Sequence, residues 1–326
     1  MRKALLFFTF FIFIASSQAQ AGGQDTVKAA KPDTVKIGIY ITSIHDIDFK
    51  QKEYNITFWL WVKYKIKAFD FLQNLEIPMA KNFTKSFSTV DSSGGQIYIL
   101  MKIQAMMKDS WKIGNFPFDR QRLMLTVENS QYDSAHLVFV PDTLGKHFDP
   151  RFTLNGWTID SCELAVRTKA YESAFGDDNL TRPHMDYSSF RVRLGIRRDA
   201  GGLFWKMFLG MYIAFLIAYV CFYIHADGID SRFGLSVGAL FAVIGNKYII
   251  DSALPESTSF TLVDTLHGLT LFFILAVITA TAYSLKLVTK GKEKKAVRFD
   301  MIAAQFLLVV YVILNCYFIY QARKGM

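Results

Sequence analysis

The chain has 326 residues, a formal net charge of +9 and 52% hydrophobic residues, with a mean hydropathy of +0.21. This length allows two structural units, and the apolar composition indicates that one of them is embedded in a membrane. The Lys and Arg residues are not gathered into one patch with interleaved aromatic residues, so we attribute the basic balance to membrane topology and expect no nucleic-acid partner.

The first residues have the pattern of a secretory signal peptide. Two basic residues precede an apolar run from Ala4 to Ala15, and small residues suited to cleavage follow near Ala21. The apolar run is too short to span a bilayer, which disfavours an N-terminal membrane anchor. We therefore predict a signal peptide at residues 1–21 and a linker at residues 22–34, and a mature chain that begins outside the cytoplasm.

Residues 35–198 have the pattern of a β-domain. Apolar and polar residues alternate from Val35 to Ile41, and turn signals such as Ser92-Ser93-Gly94-Gly95 separate the alternating runs. The same period of two returns in runs at residues 54–62, 97–103, 123–127 and 190–196. Many short alternating strands predict an antiparallel β-sandwich outside the cytoplasm.

Residues 199–326 have the pattern of a membrane domain. The apolar blocks predict helices at about 203–224, 232–250, 262–287 and 301–320. The loop between the third and fourth helices is predicted to carry six Lys and Arg residues, whereas residues 251–261 carry none. The positive-inside rule therefore orients the β-domain outward. Together these patterns predict a multi-pass membrane protein with its β-domain outside the cytoplasm.

One loop of the predicted β-domain carries the motif Phe116-Pro117-Phe118-Asp119, followed by Gln121. This motif resembles the signature loop of pentameric ligand-gated ion channels, the Cys-loop receptor superfamily. In animal members two cysteines close this loop, and their places here are Asp109 and Leu123, so the chain resembles the bacterial members that lack the disulfide. That resemblance implies the bacterial inner membrane and a periplasmic β-domain as the expected location.

Three spacings support the resemblance. Trp59 follows Asp48 by eleven residues, Arg198 ends the last predicted strand, and Pro255 follows Arg232 by twenty-three residues. One departure is the absence of the proline that the family usually has early in the first membrane helix, where Gly210 is the residue that could supply a similar bend.

The resemblance implies a homopentamer in a lipid bilayer, with a ligand pocket between neighbouring subunits. The identity of the ligand is left open, with a small molecule and a proton as the alternatives. Trp59 and Trp61 either line the pocket or pack between subunits. Ser130 stands where the family has its most dependable pocket tryptophan, and the loss of that aromatic residue argues against a simple amine-binding box. Nearby Glu128, Tyr132 and Asp133 are expected to bind a cation, to respond to pH or only to hold a turn. The predicted pocket residues are Trp59, Trp61, Ser130, Tyr132, Tyr171, Phe175 and Tyr187.

The resemblance also implies a junction that couples the two domains. Asp119 and Arg198 are expected to lie close together there, either as part of gating or as a structural ion pair. The predicted coupling residues are Asp48, Phe116, Pro117, Phe118, Asp119, Arg198 and Pro255.

The second apolar block predicts either a pore wall or a packing helix. At about 100° per residue, its small residues and Phe241 fall on one stripe. Five Phe241 side chains would form a hydrophobic gate, whereas Gly234 and Gly238 alone would also suit helix packing. Lys247 lies away from the stripe and needs Asp251 or Asp264 as a partner. The predicted pore-lining residues are Asp230, Gly234, Gly238, Phe241, Gly245, Tyr248 and Ser252.

The expected permeant ions are cations if Asp230 rather than Arg232 faces the lumen. The competing class is a non-conducting sensor or binding protein on the same scaffold. An enzyme is not expected: His225, Asp227 and Asp230 are close in sequence, and Asp264 and His267 are one helical turn apart, but no catalytic or metal-binding motif accompanies them. No metal or cofactor is predicted.

Overall fold

The computed structural model describes residues 31–151, 153–176, 178 and 183–324. The predicted signal peptide and nearly all of the predicted linker lie outside this described part of the chain.

Nine strands form the amino-terminal domain. They are β1 (Asp33–Asp48), β2 (Glu53–Tyr64), β3 (Leu75–Glu76), β4 (Ala80–Asp91), β5 (Ile97–Lys108), β6 (Arg120–Asn129), β7 (Leu137–Pro141), β8 (Trp157–Tyr171) and β9 (Met185–Arg198), with a one-turn helix α1 (Phe71–Asn74) before β3. One sheet has the order β4-β5-β2-β1-β7, and the other has the order β3-β6-β9-β8. The predicted β-sandwich is therefore confirmed.

One strand pair differs from the antiparallel prediction. β7 lies parallel to β1, from Leu137 opposite Asp33 to Pro141 opposite Ile37, whereas the other named pairs are antiparallel. The chain enters β7 from β6, which belongs to the opposite sheet, so β7 is not joined to β1 by a hairpin turn that would force antiparallel pairing.

The alternating runs form the core of the sandwich. Ile39, Leu60 and Met101 lie side by side on neighbouring strands and are fully buried. Burial of each such side chain contributes about 1.5–3 kcal/mol. Trp59 and Trp61 alternate with these residues and lie on the opposite sheet face.

Four long helices follow the sandwich: α2 (Ala200–Val220), α3 (Ile229–Ala253), α4 (Leu262–Thr289) and α5 (Glu293–Lys324). All four helical segments are long and apolar enough to cross a membrane. The fold is thus a mostly β domain followed by four candidate membrane helices.

The fourth long helix begins earlier than its apolar run suggests. α5 starts at Glu293, eight residues before Met301. Lys294, Lys295 and Arg298 therefore lie in its first turns rather than in a loop. Charged residues have good helix propensity, so a helix continues where a hydropathy pattern ends.

Local sequence fixes two other features of the bundle. Thr261 and Asp264 form a reciprocal capping box at the start of α4. α2 continues through Gly210 as a regular helix, and a Cβ atom at Gly210 would lie 3.4 Å from Asn246 Nδ2. Gly210 therefore permits close approach of α2 and α3 rather than ending the helix.

Candidate functional site

Aromatic rings and carboxylates share a cavity at one end of the four-stranded sheet. Tyr171 ends β8, and its ring centroid lies 5.6 Å from that of Tyr187 on β9 and 5.5 Å from that of Phe175. The cavity has a volume of about 340 Å³. It is lined by Glu76, Glu128, Ser130, Tyr171, Phe175 and Tyr187.

Strand register brings two glutamates together in this cavity. Glu76 on the short strand β3 lies opposite Glu128 on β6, and Glu128 is 2% exposed. Tyr171 donates its hydroxyl hydrogen bond to Glu128 Oε2 at 2.8 Å. Glu76 was missed by the sequence analysis because β3 has only two residues and no readable alternation.

Burial and charge shift the pKa values of the groups in this cavity. Although Glu76 lies at an exposed position, partial burial of its carboxyl and the charge of Glu128 raise its pKa. Burial and the hydrogen bond to Glu128 raise the pKa of Tyr171, and burial with nearby carboxylates raises that of Tyr187. The two tyrosines therefore stay uncharged at neutral pH, and the formal charge of the cavity is negative.

Phe175 has an unusual backbone conformation at the mouth of the cavity. Its φ is 48° and its side chain is 63% exposed. The left-handed region costs a bulky residue about 1–2 kcal/mol. Such a conformation at an exposed aromatic residue is typical of a loop that serves a binding role.

The other predicted pocket residues lie elsewhere in the single chain. Trp59, on the other sheet, contacts the Phe87 ring at 5.7 Å and has the Lys102 ammonium 5.8 Å from its ring centre. Trp61 donates its indole N–H to Asp142. Tyr132 packs against the Phe69 ring at 4.9 Å and does not line the cavity.

The predicted junction pair is present. Arg198 Nε and Nη2 donate to the two carboxylate oxygens of Asp119 at 2.7 and 3.2 Å. Asp119 is 3% exposed and also accepts a hydrogen bond from Gln121. The Arg198 guanidinium lies between 4.0 and 4.8 Å from the ring centres of Trp157, Phe49 and Phe116. A bidentate pair enclosed by rings holds one geometry.

The motif loop containing this aspartate contacts three of the long helices. Phe118 packs against Phe204 of α2 with centroids 5.5 Å apart, and the Arg323 guanidinium of α5 lies 4.9 Å from the Phe118 ring. Leu262, at the start of α4, donates its backbone N–H to Gly114 O. The motif loop is therefore packed directly against the helical bundle.

The other predicted coupling residues surround the same junction. Asp48 accepts a hydrogen bond from the Trp111 indole through its backbone oxygen, and Pro255 is buried just beyond α3. The bond between Phe116 and Pro117 is cis. A cavity of about 680 Å³ lies here, bordered by Asp48, Phe116 and Arg198 and by residues of α2 and α3.

The predicted stripe of α3 lies on the exposed side of that helix. Ser236, Ala239, Val243 and Ile250 face the rest of the chain and are buried, whereas Phe241 and Tyr248 are 66% and 75% exposed. A Cβ atom added at each of the three stripe glycines would contact nothing within 4 Å among the described residues. The glycines therefore do not pack α3 against the described part of its own chain. All seven predicted pore residues are exposed: Asp230, Gly234, Gly238, Phe241, Gly245, Tyr248 and Ser252.

Asp230 and Arg232, at the far end of the bundle, lie in different surroundings within the chain. Arg232 is 3% exposed, and its Nη2 donates to Asp300 Oδ2 of α5 at 2.8 Å. Ser284 of α4 donates to the same oxygen. Asp230 is exposed on the opposite side of the helix. Nearby Asp227 accepts a hydrogen bond from His225, which lowers the pKa of Asp227.

The polar residues of α3 and α4 form structural contacts. Lys247 Nζ lies 2.5 Å from Asp251 Oδ2 and 2.8 Å from Asp264 Oδ1, so both predicted partners are used. His267 is fully buried and its Nε2 lies 2.9 Å from Asn246 Oδ1. Within residues 31–324, as far as they are described, no group of three or more His, Cys, Asp or Glu is arranged to hold a metal ion.

Comparison with known proteins adds no family assignment: no protein-family model matches the chain, and no curated protein has a significant match to it. The class is therefore defined by the fold and by these surfaces. Four candidate membrane helices follow a β-sandwich, a scaffold compatible with a multi-pass membrane channel or receptor.

Proposed function

We propose that the chain is one subunit of a homopentameric ligand-gated ion channel, with the exposed stripe of α3 as its pore wall. The stripe supports this proposal because it combines three glycines, an exposed phenylalanine and an acidic residue at one end. A ring of Phe241 side chains closes the pore by excluding water. A ring of Asp230 carboxylates favours cations, because the Arg232 guanidinium is buried against Asp300 and does not lie on the stripe.

The ligand is a small organic cation. The observation that carries this assignment is the cavity in which Glu76 and Glu128 lie beside three aromatic rings. Carboxylates attract an ammonium group, and aromatic faces stabilise it through cation–π contacts. The Lys169 ammonium, 5.4 Å from the centre of the Tyr171 ring, is an example of such a contact beside the cavity.

Coupling follows from the contacts of the motif loop. A ligand that binds one arrangement of the β8–β9 loop better than another shifts the population of the whole subunit toward that arrangement. Asp119 and Arg198 fix the last strand to the motif loop, and this loop contacts α2, α4 and α5. The bundle therefore responds to ligand through packed side chains.

Ion flux into liposomes that contain the purified chain tests conduction. Amines applied over a range of pH are expected to open the pore, and Phe241→Ala is expected to leak without ligand. If neither gives flux, the channel proposal fails, and amine binding without flux would instead favour the non-conducting sensor. Particle images that show anything other than five subunits would also contradict the proposal.

Calorimetric titration with amines tests the ligand class. Glu128→Gln is expected to weaken binding about tenfold or more, because it removes a buried charge partner. Glu163→Gln, on the same sheet face but outside the cavity, is the matched control. Equal effects of the two substitutions would contradict a specific cation site.

The pH dependence provides a second test of the cavity. Glu76 has a raised pKa, so it takes up its proton at a higher pH than a glutamate in solution does. Amine affinity is therefore expected to fall as the pH falls through this raised pKa, and Glu76→Gln should reduce that dependence. An amine affinity with the same pH dependence in both proteins would remove Glu76 from the site.

A further inference from the structure

The face of the four-stranded sheet that carries the aromatic cavity also carries a second cavity. This second cavity lies at the end of the sheet that is closer to the helical bundle. Gly195 on β9 lies between Arg122 on β6 and Ser161 on β8. A Cβ atom at Gly195 would lie 2.5 Å from Ser161 Oγ, so the Ser161 side chain covers this glycine. Both residues line a cavity of about 560 Å³, which we call the notch.

Basic side chains surround this notch. Arg193 and Arg197 are the exposed residues two positions before and after Gly195 on β9, and Arg120 lies opposite Arg197 on β6. Lys112 also borders the cavity. Its backbone is held beside β6 by two hydrogen bonds with the Gln121 side chain, at 3.0 and 2.9 Å.

The carboxylates nearby do not balance this charge. Asp160 is shared by Arg120 and Arg197, at 3.8 and 3.5 Å. Glu163 lies opposite Arg193 in the strand register. Within the described part of the chain, Arg122, Arg193 and Lys112 have no carboxylate within salt-bridge distance.

One acidic residue in the cavity wall is expected to weaken the binding of an anion, because like charges repel. Asp109 borders the cavity, and its Oδ2 atom is buried without a hydrogen-bond partner among the described residues. Burial also raises the pKa of this carboxyl group. Removal of its charge should therefore strengthen anion binding, whereas removal of a basic side chain should weaken it.

We infer that this notch binds a small multivalent oxyanion from solution, of the polycarboxylate or polyphosphate type. Guanidinium groups bind carboxylate and phosphate oxygens in bidentate geometry, and here Arg120 and Arg122 line the notch together with Lys112. Ser161 supplies a hydroxyl donor in the same wall. The site is separate from the aromatic cavity and does not depend on the chain conducting ions.

Calorimetric titration of the purified full chain in detergent at low ionic strength tests the site, with citrate and pyrophosphate as probes. The wild-type chain is expected to bind at least one of them. Arg122→Gln should weaken binding about tenfold or more. Arg167→Gln makes the same charge change on the same face, about 20 Å away by strand rise, and should change binding by less than about threefold. Asp109→Asn should tighten binding.

A second pair of variants removes the space rather than the charge. Gly195→Val in a Ser161→Ala background fills the notch without the clash at Ser161 Oγ, and Ser161→Ala alone is its control. The filled variant is expected to lose binding while both variants keep the same thermal unfolding midpoint. No binding by wild type, equal weakening by Arg122→Gln and Arg167→Gln, or full binding by the filled variant would overturn the site.

Discussion

An arginine paired with a buried aspartate lies at each end of the helical bundle. The two pairs differ in how completely their hydrogen bonds are satisfied. Next to the sandwich, Arg198 binds both oxygens of Asp119 and is enclosed by three aromatic rings. At the far end, Arg232 binds one oxygen of Asp300, while Arg232 Nη1 and Asp300 Oδ1 have no partner among the described residues.

This difference indicates how much each pair contributes to the stability of the fold. A buried network in which every hydrogen bond is formed stabilises one geometry. A buried polar atom without a partner instead lowers the stability of the fold, because the free-energy cost of removing it from water is not offset. The pair at the junction is therefore expected to stabilise the fold and to transmit movement. The far pair is expected to fix the positions of α3 and α5 with little net gain in stability, because apolar residues of similar volume often replace such a pair without loss.

The largest expected effect comes from breaking the far pair on one side only. Asp300→Asn should lower the free energy of unfolding by about 3–5 kcal/mol, since it leaves the Arg232 guanidinium buried without a counter-ion. The thermal unfolding midpoint in detergent measures this loss. Glu293→Gln, in the exposed first turn of α5, is the control and should change the midpoint little. A small loss for Asp300→Asn would mean that water reaches Arg232.

Replacing both members of each pair sharpens the contrast. Arg232→Met with Asp300→Leu should recover most of the stability that Asp300→Asn loses. Arg198→Met with Asp119→Leu should not recover, because the three surrounding rings lose the guanidinium. The loss of one hydrogen-bond acceptor is common to both ends, for Gln121 on Asp119 and for Ser284 on Asp300. Equal recovery at both ends, in the same unfolding measurement, would show that the two pairs do not differ in this way.

A conservative change at the junction should have a smaller effect on stability. Arg198→Lys keeps the charge but loses the bidentate geometry and the stacking on Trp157, with an expected loss of about 1–3 kcal/mol. Under the proposed function, amine affinity should be largely kept while ligand-evoked flux falls. Titration and flux on the same preparation separate the two, and unchanged flux would make the pair structural only.

Much of the fold was predictable because strand alternation and apolar runs record burial directly. The alternating residues of β1, β2 and β5 are the buried core, and the four apolar blocks correspond to four long helices. The early start of α5 and the parallel pairing of β7 with β1 were not predictable, because neither depends on hydrophobic period. Charged helix turns and strand partners are set by contacts distant in sequence.

The candidate sites were predictable only in part, for the same reason. Helical angle separates the stripe of α3 from Lys247, but it cannot say that Arg232 meets Asp300, 68 residues later. The tyrosines on either side of the β8–β9 loop could be recognised as a cluster from the sequence, whereas the position of Glu76 depends on a two-residue strand. Gly195 is an ordinary glycine in the sequence, and it becomes part of the wall of a cavity only when β6 and β8 flank it.

The smallest expected effect is at a third ionic contact, between α3 and α4. Lys247 bridges Asp251 and Asp264, but its side chain is 29% exposed in the single chain, and exposed ion pairs contribute about 0–1 kcal/mol. Lys247→Met should therefore lower the unfolding midpoint much less than Asp300→Asn does. Asp264→Asn should cost somewhat more, because Asp264 also caps α4 through Thr261. A loss at Lys247 as large as that at Asp300 would mean that a second copy or the bilayer buries this contact, which would then resemble the two buried pairs.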